Sequence, residues 1–320
     1  MDVKGKRVFV GLSGGVDSAM SATLLQQAGA RVTGVFIKGW YPPGMPCTWA
    51  AERRDAMRIA ARLHIPFLTL DASKEYKKGV IDYLLAEYRA GRTPNPDVMC
   101  NREVKFGAFY RFAKLSGADA IAMGHYRSGE KDQSYFLWAV PKHVLEATLF
   151  PVGEMEKSRV RSLAKKFDLP VAEKRDSQGI CFLGSVSVQE FLEKELGSDN
   201  PALLYTLGQR ISLEGLPSVA LAKEGPWYVV GKDVEKKELM VSRSRKQEAV
   251  AEIKFKDSNW FADASQATEA QYRYRGPRAR GHIENDTFVS SESLPEIPTP
   301  GQSVVFYRDD ELIGGGIITG

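Results

Sequence analysis

The residues that decide the fold are RVFVGLSGGVDS, at positions 7–18. Positions 7–12 form a largely apolar run of strand length, and a helical pattern then continues to about Gln27. Gly14 and Gly15 allow a tight turn whose backbone N–H groups point inward, and the N-terminus of the following helix adds partial positive charge. The segment therefore predicts a phosphate-binding loop after the first strand of an α/β fold.

This loop is not of the Walker A type, because no Gly-Lys-Ser or Gly-Lys-Thr ends it. Without that lysine, the loop does not favour chemistry at a γ-phosphate. A simpler alternative is a glycine-rich strand-to-helix turn in which Asp17 and Ser18 merely favour the first helical turn.

The remainder of the first half repeats the strand-then-helix pattern. Apolar runs at 32–37, 66–70 and 118–123 predict strands, and the segment 53–60 predicts a helix between two of them. Such alternation is typical of a parallel sheet with right-handed crossovers, in which ligands bind at the carboxyl ends of the strands.

The pattern changes after Gly197 to short strands separated by turns, and alternating runs such as 270–275 and 303–307 predict a small β-barrel at the end of the chain. The sequence therefore predicts an α/β catalytic domain at 1–195, a small, mainly β central domain at 196–246 and a β-barrel at 247–320.

Composition limits the classes of protein that remain. The chain has 320 residues, of which 43% are hydrophobic and 26% charged, so a small disulfide-stapled scaffold is excluded. Every apolar run ends before the roughly 18 residues of a membrane span, which predicts a cytoplasmic protein with no membrane partner. The net charge is only +4, from 44 basic and 40 acidic residues, so a polyanionic partner requires a local basic patch.

The three cysteines, Cys47, Cys100 and Cys181, contain no C-x-x-C pair and match neither a disulfide framework nor a zinc site, so no metal site is predicted. Cys100 follows Asp97 and falls near the start of a helical run at 103–112, where basic neighbours favour a thiolate. Asp97 is a candidate proton shuttle. The alternative is that Cys100 is a buried apolar residue and Asp97 a helix cap.

Cys181 lies between Gly179 and Gly184 after a polar run, which favours a movable loop that carries a reactive thiol. Cys47 has no such surroundings and is predicted to be incidental.

Longer strings resemble a known family. Residues 13–18 resemble the pyrophosphate loop of the ATP pyrophosphatase superfamily, whose members cleave ATP to AMP and pyrophosphate. Five further strings resemble the tRNA-specific 2-thiouridylases, which replace the C2 oxygen of the wobble uridine with sulfur: RTPNPDVMCN at 92–101, GHY at 124–126, KDQSYFL at 131–137, DSQGICFLG at 176–184 and YTLGQR at 205–210. The resemblance runs in order over nearly the whole chain.

The resemblance implies roles for individual residues. It implies an ATP site, used with Mg²⁺, at Gly11, Leu12, Ser13, Gly14, Gly15, Val16, Asp17, Ser18, Ile37 and Gly124. It implies that Asn95, Pro96 and Asp97 meet the target base, with Asp97 as acid or base. It implies that Cys100 is the nucleophile, that Cys181 carries sulfur as a persulfide received from a donor or relay protein, and that the two can form a disulfide.

The same resemblance implies tRNA contacts at His125, Lys131, Asp132, Gln133, Arg273, Tyr274 and Gln302. The residues alone support the last region, because the stretch 272–280 interleaves arginines with tyrosines and contains no acid, as suits phosphate contact and base stacking. A solvated strand face is the alternative for this stretch, and a satisfied core histidine is the alternative for His125.

Two other functions fit parts of the sequence. An ATP pyrophosphatase acting on a small substrate would need neither two separated motif cysteines nor a basic barrel. An RNA-binding protein with a vestigial nucleotide site would show no tRNA-dependent pyrophosphate release. The sequence also leaves open whether a persulfide acts directly or a cysteine-held metal cluster takes part.

Overall fold

The computed structural model describes residues 2–44, 48–174, 187–211, 226–244 and 250–319. The chain divides into two compact units. The first comprises Met1–Asp82 and Pro96–Ser187, and the second comprises Tyr83–Asn95 and Val188–Gly320.

The first unit alternates strands and helices. Its strands are β1 (Arg7–Gly11), β2 (Arg31–Lys38), β3 (Phe67–Asp71), β4 (Ala120–Ala122) and β5 (Thr148–Leu149). Its α-helices are α1 (Val16–Gln27), α2 (Trp49–Arg62), α3 (Ser73–Tyr76), α5 (Pro96–Cys100), α6 (Phe109–Leu115), α7 (Lys142–Glu146) and α8 (Lys157–Lys166); α4 belongs to the second unit. Two π-helical stretches, Lys77–Asp82 and Asn101–Ala108, and two 3₁₀ turns, Gly129–Lys131 and Ser134–Phe136, complete the unit.

The five strands form a parallel sheet in the order β3-β2-β1-β4-β5. Buried apolar residues such as Val8, Val10 and Phe36 fill β1 and β2, as expected for strands covered on both faces. The chain order reverses beside β1, since β2 lies on one side of it and β4 on the other. Ligands in open α/β sheets bind at such a switch point, so the loop after β1 is the expected site.

The second unit contains a small antiparallel sheet in the order β6-β7-β8, formed by β6 (Arg210–Ile211), β7 (Trp227–Asp233) and β8 (Glu238–Ser242). Three helices pack together beside it: α4 (Tyr83–Arg89), α9 (Val188–Leu196) and α10 (Pro201–Leu204). Asn200 caps α10 by accepting a hydrogen bond from the Ala202 N–H at 3.2 Å, and Pro201 begins the helix with its fixed φ.

The same unit ends in a closed antiparallel barrel in the order β10-β11-β12-β9-β14-β13. Its strands are β9 (Glu252–Trp260), β10 (Glu269–Gln271), β11 (Ala279–Glu284), β12 (Thr287–Ser290), β13 (Ser303–Arg308) and β14 (Glu311–Ile318), with a 3₁₀ turn at Ala264–Gln266. Inward-facing Phe255, Phe288 and Phe306 form its core with Ile253, Val304 and Ile318. Closure removes the exposed edges that an open sheet of this size would have.

These observations confirm the predicted fold class. One strand is shorter than its alternating pattern predicts: β10 ends at Gln271, because the chain turns at Arg275, which has φ 60°, and the Gly276 N–H bonds the Arg273 carbonyl at 2.9 Å. Among the described residues, no helix is long and apolar enough to cross a membrane.

Candidate active site

Three adjacent strands bring the predicted nucleotide residues to one edge of the sheet. Gly11 ends β1, Ile37 lies next to the end of β2, and Gly124 follows shortly after β4. Parallel strands carry their carboxyl ends at the same edge, which explains why residues so far apart in sequence converge. A Cβ on Gly124 would lie 2.9 Å from the Ser18 nitrogen and 3.0 Å from the Asp17 carbonyl carbon, so this glycine packs directly against the start of α1.

The loop after β1 is fixed by its own serines. Ser18 Oγ donates to the Gly15 carbonyl at 3.0 Å and accepts from the Ser13 N–H at 3.3 Å. Gly14 has φ +75°, and a Cβ there would lie 2.5 Å from the carbonyl oxygen of Glu52 in α2. Both the conformation and the close approach require glycine at position 14.

Two lysines that the sequence did not identify bind this loop. Lys157, the first residue of α8, donates to both carboxylate oxygens of Asp17 at 2.7 and 2.8 Å, and the Tyr126 hydroxyl donates to Asp17 Oδ1 at 2.6 Å. Lys174 donates to the Gly14 carbonyl at 3.0 Å and to Asp55 at 2.7 Å. They place two cations beside a loop whose N–H groups already favour an anion.

A cavity at the same edge is lined by Gly11, Leu12, Ser13, Phe36, Ile37, Glu52, Lys105 and Met123. Leu12, Phe36 and Met123 give it an apolar wall, while Lys105 and Glu52 contribute opposite charges. An apolar slot beside a phosphate-binding loop suits a nucleotide, whose base is flat and apolar and whose phosphates are charged. Four of the ten predicted nucleotide residues line this cavity.

The helix that carries the cysteine motif begins earlier than the sequence indicated. Pro96 opens α5, so Asp97 lies in the first turn. Cys100, the last residue of α5, is the fifth residue of helical backbone that continues through Asn101–Ala108 into α6. Proline suits this opening position because its fixed φ is helical and its missing N–H costs no hydrogen bond there. Cys100 is 1% exposed, and the π-helical stretch Asn101–Ala108 follows it directly.

The pKa of Asp97 differs from that of an ordinary surface carboxylate. Burial raises its pKa, and the positive charge of Lys105 opposes the rise. A carboxyl group with a raised pKa holds its proton closer to neutral pH and can deliver it as a general acid. The Asp97 carboxyl, the Lys105 cation and the cavity that Lys105 lines therefore belong to one electrostatic environment.

Gln133, one of the predicted tRNA residues, is joined to Tyr126, which follows His125 in the chain. Gln133 Oε1 accepts from the Tyr126 N–H at 3.1 Å, and the Gln133 N–H donates to the Tyr126 carbonyl at 3.0 Å. Asp132 accepts from the Ser134 N–H at 2.8 Å and from the Ser134 hydroxyl at 3.0 Å. His125 is 9% exposed, packs against Phe106 and Phe150, and its Nδ1 makes no hydrogen bond to any residue that the structure describes.

His125 should make stability depend on pH. Burial, with a smaller contribution from the charge of Lys105, lowers its pKa from 6.5 to about 3. As pH falls below 6.5, this histidine becomes protonated in the unfolded chain but stays neutral in the folded chain. The free energy of unfolding therefore falls by up to about 1.4 kcal/mol per pH unit. Denaturant titrations between pH 7 and pH 4 should show a shallower slope for His125→Gln. The exposed His143→Gln is the control, and an unchanged slope for His125→Gln would contradict the assignment.

In the second unit, three predicted tRNA residues already make internal contacts. Arg273 pairs with Glu296 at 2.8 Å and donates to the Leu207 carbonyl at 3.3 Å. The Arg275 guanidinium lies 5.2 Å from the centre of the Tyr274 ring. Gln302 donates its side-chain amide to the carbonyls of Thr93 and Pro94 at 2.9 and 3.3 Å. Arg278 of the same stretch pairs with Glu269 at 3.3 Å. The predicted stretch of arginines and tyrosines therefore includes two ion-paired arginines as well as the exposed Arg275 and Arg280.

Cys181 and Cys47 lie outside the described residues, so the structure does not place the predicted persulfide carrier or the incidental thiol.

Three family models together match nearly the whole chain. The family described as "tRNA methyl transferase HUP domain" matches residues 6–185, the "tRNA methyl transferase PRC-barrel domain" matches 186–243, and the "Aminomethyltransferase beta-barrel domain" matches 250–318.

Curated relatives match over nearly their full length. A protein from Marinomonas sp. (strain MWYL1) called "tRNA-specific 2-thiouridylase MnmA" is 40% identical over 98% of this chain and 91% of its own. Proteins of the same name from Acinetobacter baylyi and Streptococcus thermophilus are 39% and 37% identical, again over 98% of this chain, and over 97% and 95% of their own. The chain therefore belongs to the tRNA-specific 2-thiouridylase family.

Proposed function

We infer that this protein is an ATP-dependent tRNA sulfurtransferase that converts the wobble uridine of tRNA to 2-thiouridine. The observation that carries this inference is the convergence of the SGGVDS loop, Ile37 and Gly124 at the switch point of the sheet, in a chain that matches 2-thiouridylases end to end. The protein uses ATP to activate the C2 oxygen as an adenylate. Adenylation is needed because a carbonyl oxygen is a poor leaving group, whereas AMP is a good one.

The phosphate loop and the two lysines beside it carry out the first step, which is adenylation. The loop at residues 13–15 and the N-terminus of α1 bind the departing pyrophosphate, and Lys157 and Lys174, which are held by Asp17 and Asp55, lie beside the loop. Ile37 and Gly124 lie at the edges of the site for the rest of the nucleotide. Mg²⁺ would be held mainly by the phosphates of ATP, because both carboxylate oxygens of Asp17, the acid of the loop, already accept hydrogen bonds from Lys157.

The motif cysteines and Asp97 carry out the second step, which is the transfer of sulfur. A terminal sulfur carried on Cys181 attacks C2 and AMP departs. The Cys100 thiolate then attacks the Cys181 sulfur, so that the S–S bond breaks, sulfur remains on the uridine and a Cys100–Cys181 disulfide forms. A reductant restores the two thiols, and a persulfide-bearing protein reloads Cys181. Asn95 and Pro96 hold the base, and Asp97, with its raised pKa, donates its proton to the phosphate of the departing AMP.

Six residues are proposed to bind tRNA: His125, Lys131, Asp132, Gln133, Arg273 and Tyr274. Arg275 and Arg280 add exposed positive charge.

We also propose a cytoplasmic location, because tRNA is the substrate. The boundaries 1–195, 196–246 and 247–320 stay a prediction of where the catalytic, central and barrel domains begin and end.

The test is to incubate the protein with tRNA, ATP, Mg²⁺ and sulfide and to identify the nucleosides by mass spectrometry. We expect 2-thiouridine at the wobble position and one AMP and one pyrophosphate for each sulfur inserted. ADP and orthophosphate as products would contradict the adenylation step.

A further inference from the structure

Residues 92–94, which lead directly into Asn95, are held at one end by α4. Arg92 Nε and Nη2 donate to the two carboxylate oxygens of Glu87, both at 2.6 Å, and the Arg92 N–H donates to the Glu87 carbonyl at 2.9 Å. The Arg92 hydrogen bond lowers the pKa of Glu87, so the pair stays ionised. Such a forked, charge-assisted pair fixes orientation as well as distance.

The barrel holds the other end of this segment through the turn at residues 300–302. The Thr93 N–H donates to the Pro300 carbonyl at 2.8 Å, and Gln302 Nε2 donates to the carbonyls of Thr93 and Pro94. Thr93 is 5% exposed. Gly301 has φ +90°, and a Cβ there would lie 2.9 Å from the nitrogen, carbonyl carbon and oxygen of Thr93, so only glycine permits the approach.

The turn at 300–302 is itself fixed to the barrel wall. The Gly301 N–H donates to the Ile318 carbonyl at 2.9 Å, the Ile318 N–H donates to the Gln302 carbonyl at 2.8 Å, and the Gln302 N–H donates to the Thr299 carbonyl at 3.0 Å. Ile318 ends β14 and is fully buried. The Gln302 side chain thus projects from a rigid support, and its amide satisfies two backbone acceptors of the segment before Asn95.

We propose that Gln302 is a positioning residue, which sets the place of Asn95 for the target base by holding the carbonyls of Thr93 and Pro94. This rests on the proposed function, because Asn95 matters to catalysis only if it meets the base. The resemblance implied that Gln302 contacts tRNA directly. The hydrogen bonds of its amide give Gln302 a further role, which is to hold the backbone that leads into Asn95.

The test compares Gln302→Ala with Gln271→Ala in the full-length protein. Gln271 is a matched control, because it donates its amide to the Gly276 carbonyl at 3.0 Å in the same barrel. At saturating tRNA and ATP, kcat for 2-thiouridine formation should fall about 10- to 100-fold in Gln302→Ala, because small misplacements of binding residues lower the rate by that much. The tRNA Kd of this variant should stay within about twofold of the wild-type value. Gln271→Ala should keep its kcat.

A second measurement needs no activity. In the unliganded protein, hydrogen exchange of the peptide containing Thr93 and Asn95 should quicken in Gln302→Ala and in Gly301→Ala, but not in Gln271→Ala. Unchanged exchange in that peptide would overturn the positioning role, even if kcat fell. A weakened tRNA Kd with an unchanged kcat would make Gln302 an RNA contact and equally overturn it. If wild-type protein forms no 2-thiouridine, the proposed function fails, and the exchange result alone decides whether Gln302 holds the segment.

Discussion

Replacing either Cys100 or Cys181 with serine should abolish 2-thiouridine formation when a protein persulfide supplies the sulfur. A serine at 181 cannot carry a persulfide. A serine at 100 cannot cleave the Cys181 S–S bond, because its hydroxyl stays protonated where a thiol can ionise. Nucleoside mass spectrometry of the treated tRNA measures the effect, and each variant should fall to background.

Cys47→Ser is the matched control and should remain active, because Cys47 lies outside the family motifs. Wild-type protein stopped after one turnover without reductant should yield a peptide pair joined through Cys100 and Cys181. Such a disulfide needs their Cα atoms within about 7 Å, and Cys100 is buried, so the joined peptides would show that Cys181 reaches a thiol covered by protein. Robust thiolation by either cysteine variant would disprove the pairing.

Asp97→Asn should lower kcat by about 10²- to 10⁴-fold, the usual contribution of a positioned acid or base, while stabilising the fold at pH 7. The gain in stability follows from the sign of the pKa shift. The folded state holds the Asp97 proton more tightly than the unfolded state, so the free energy of unfolding falls as pH rises through the interval from 3.8 to the raised folded pKa. Asparagine, which does not ionise, escapes this loss.

Asp71→Asn provides a control of opposite sign. Hydrogen bonds from Ser73 and Lys38 lower the pKa of Asp71 from 3.8 to about 2, so its ionised form stabilises the folded chain above pH 4, and that stability is lost as pH falls towards 2. Thermal melts at pH 7 should therefore show a higher Tm for Asp97→Asn and a lower Tm for Asp71→Asn, with thiolation lost only in the former. Equal or opposite shifts would contradict the burial of Asp97.

Much of the nucleotide site could be predicted because its signals are local. The apolar run of β1, the glycines at 14 and 15 and the start of α1 are neighbours in sequence, and the strand-helix repetition indicates a parallel sheet. The alternation after residue 249 likewise indicates a barrel. The predicted helix near Cys100 was misplaced by several residues, because Pro96 was treated as part of a stiff loop and instead opens α5.

By itself, the sequence determined the phosphate loop, the order of strands and helices, the barrel and, through the motif strings, the family. Only the tertiary structure decided that Lys157 meets Asp17 across 140 positions, that Lys105 lines the cavity beside the phosphate loop, that burial raises the pKa of Asp97, and that the Gln302 amide donates to the backbone before Asn95. The reason is physical. Turns and periodicity arise from neighbouring residues, whereas burial, ion pairing and hydrogen bonds to distant carbonyls exist only after the chain has folded and brought those groups together.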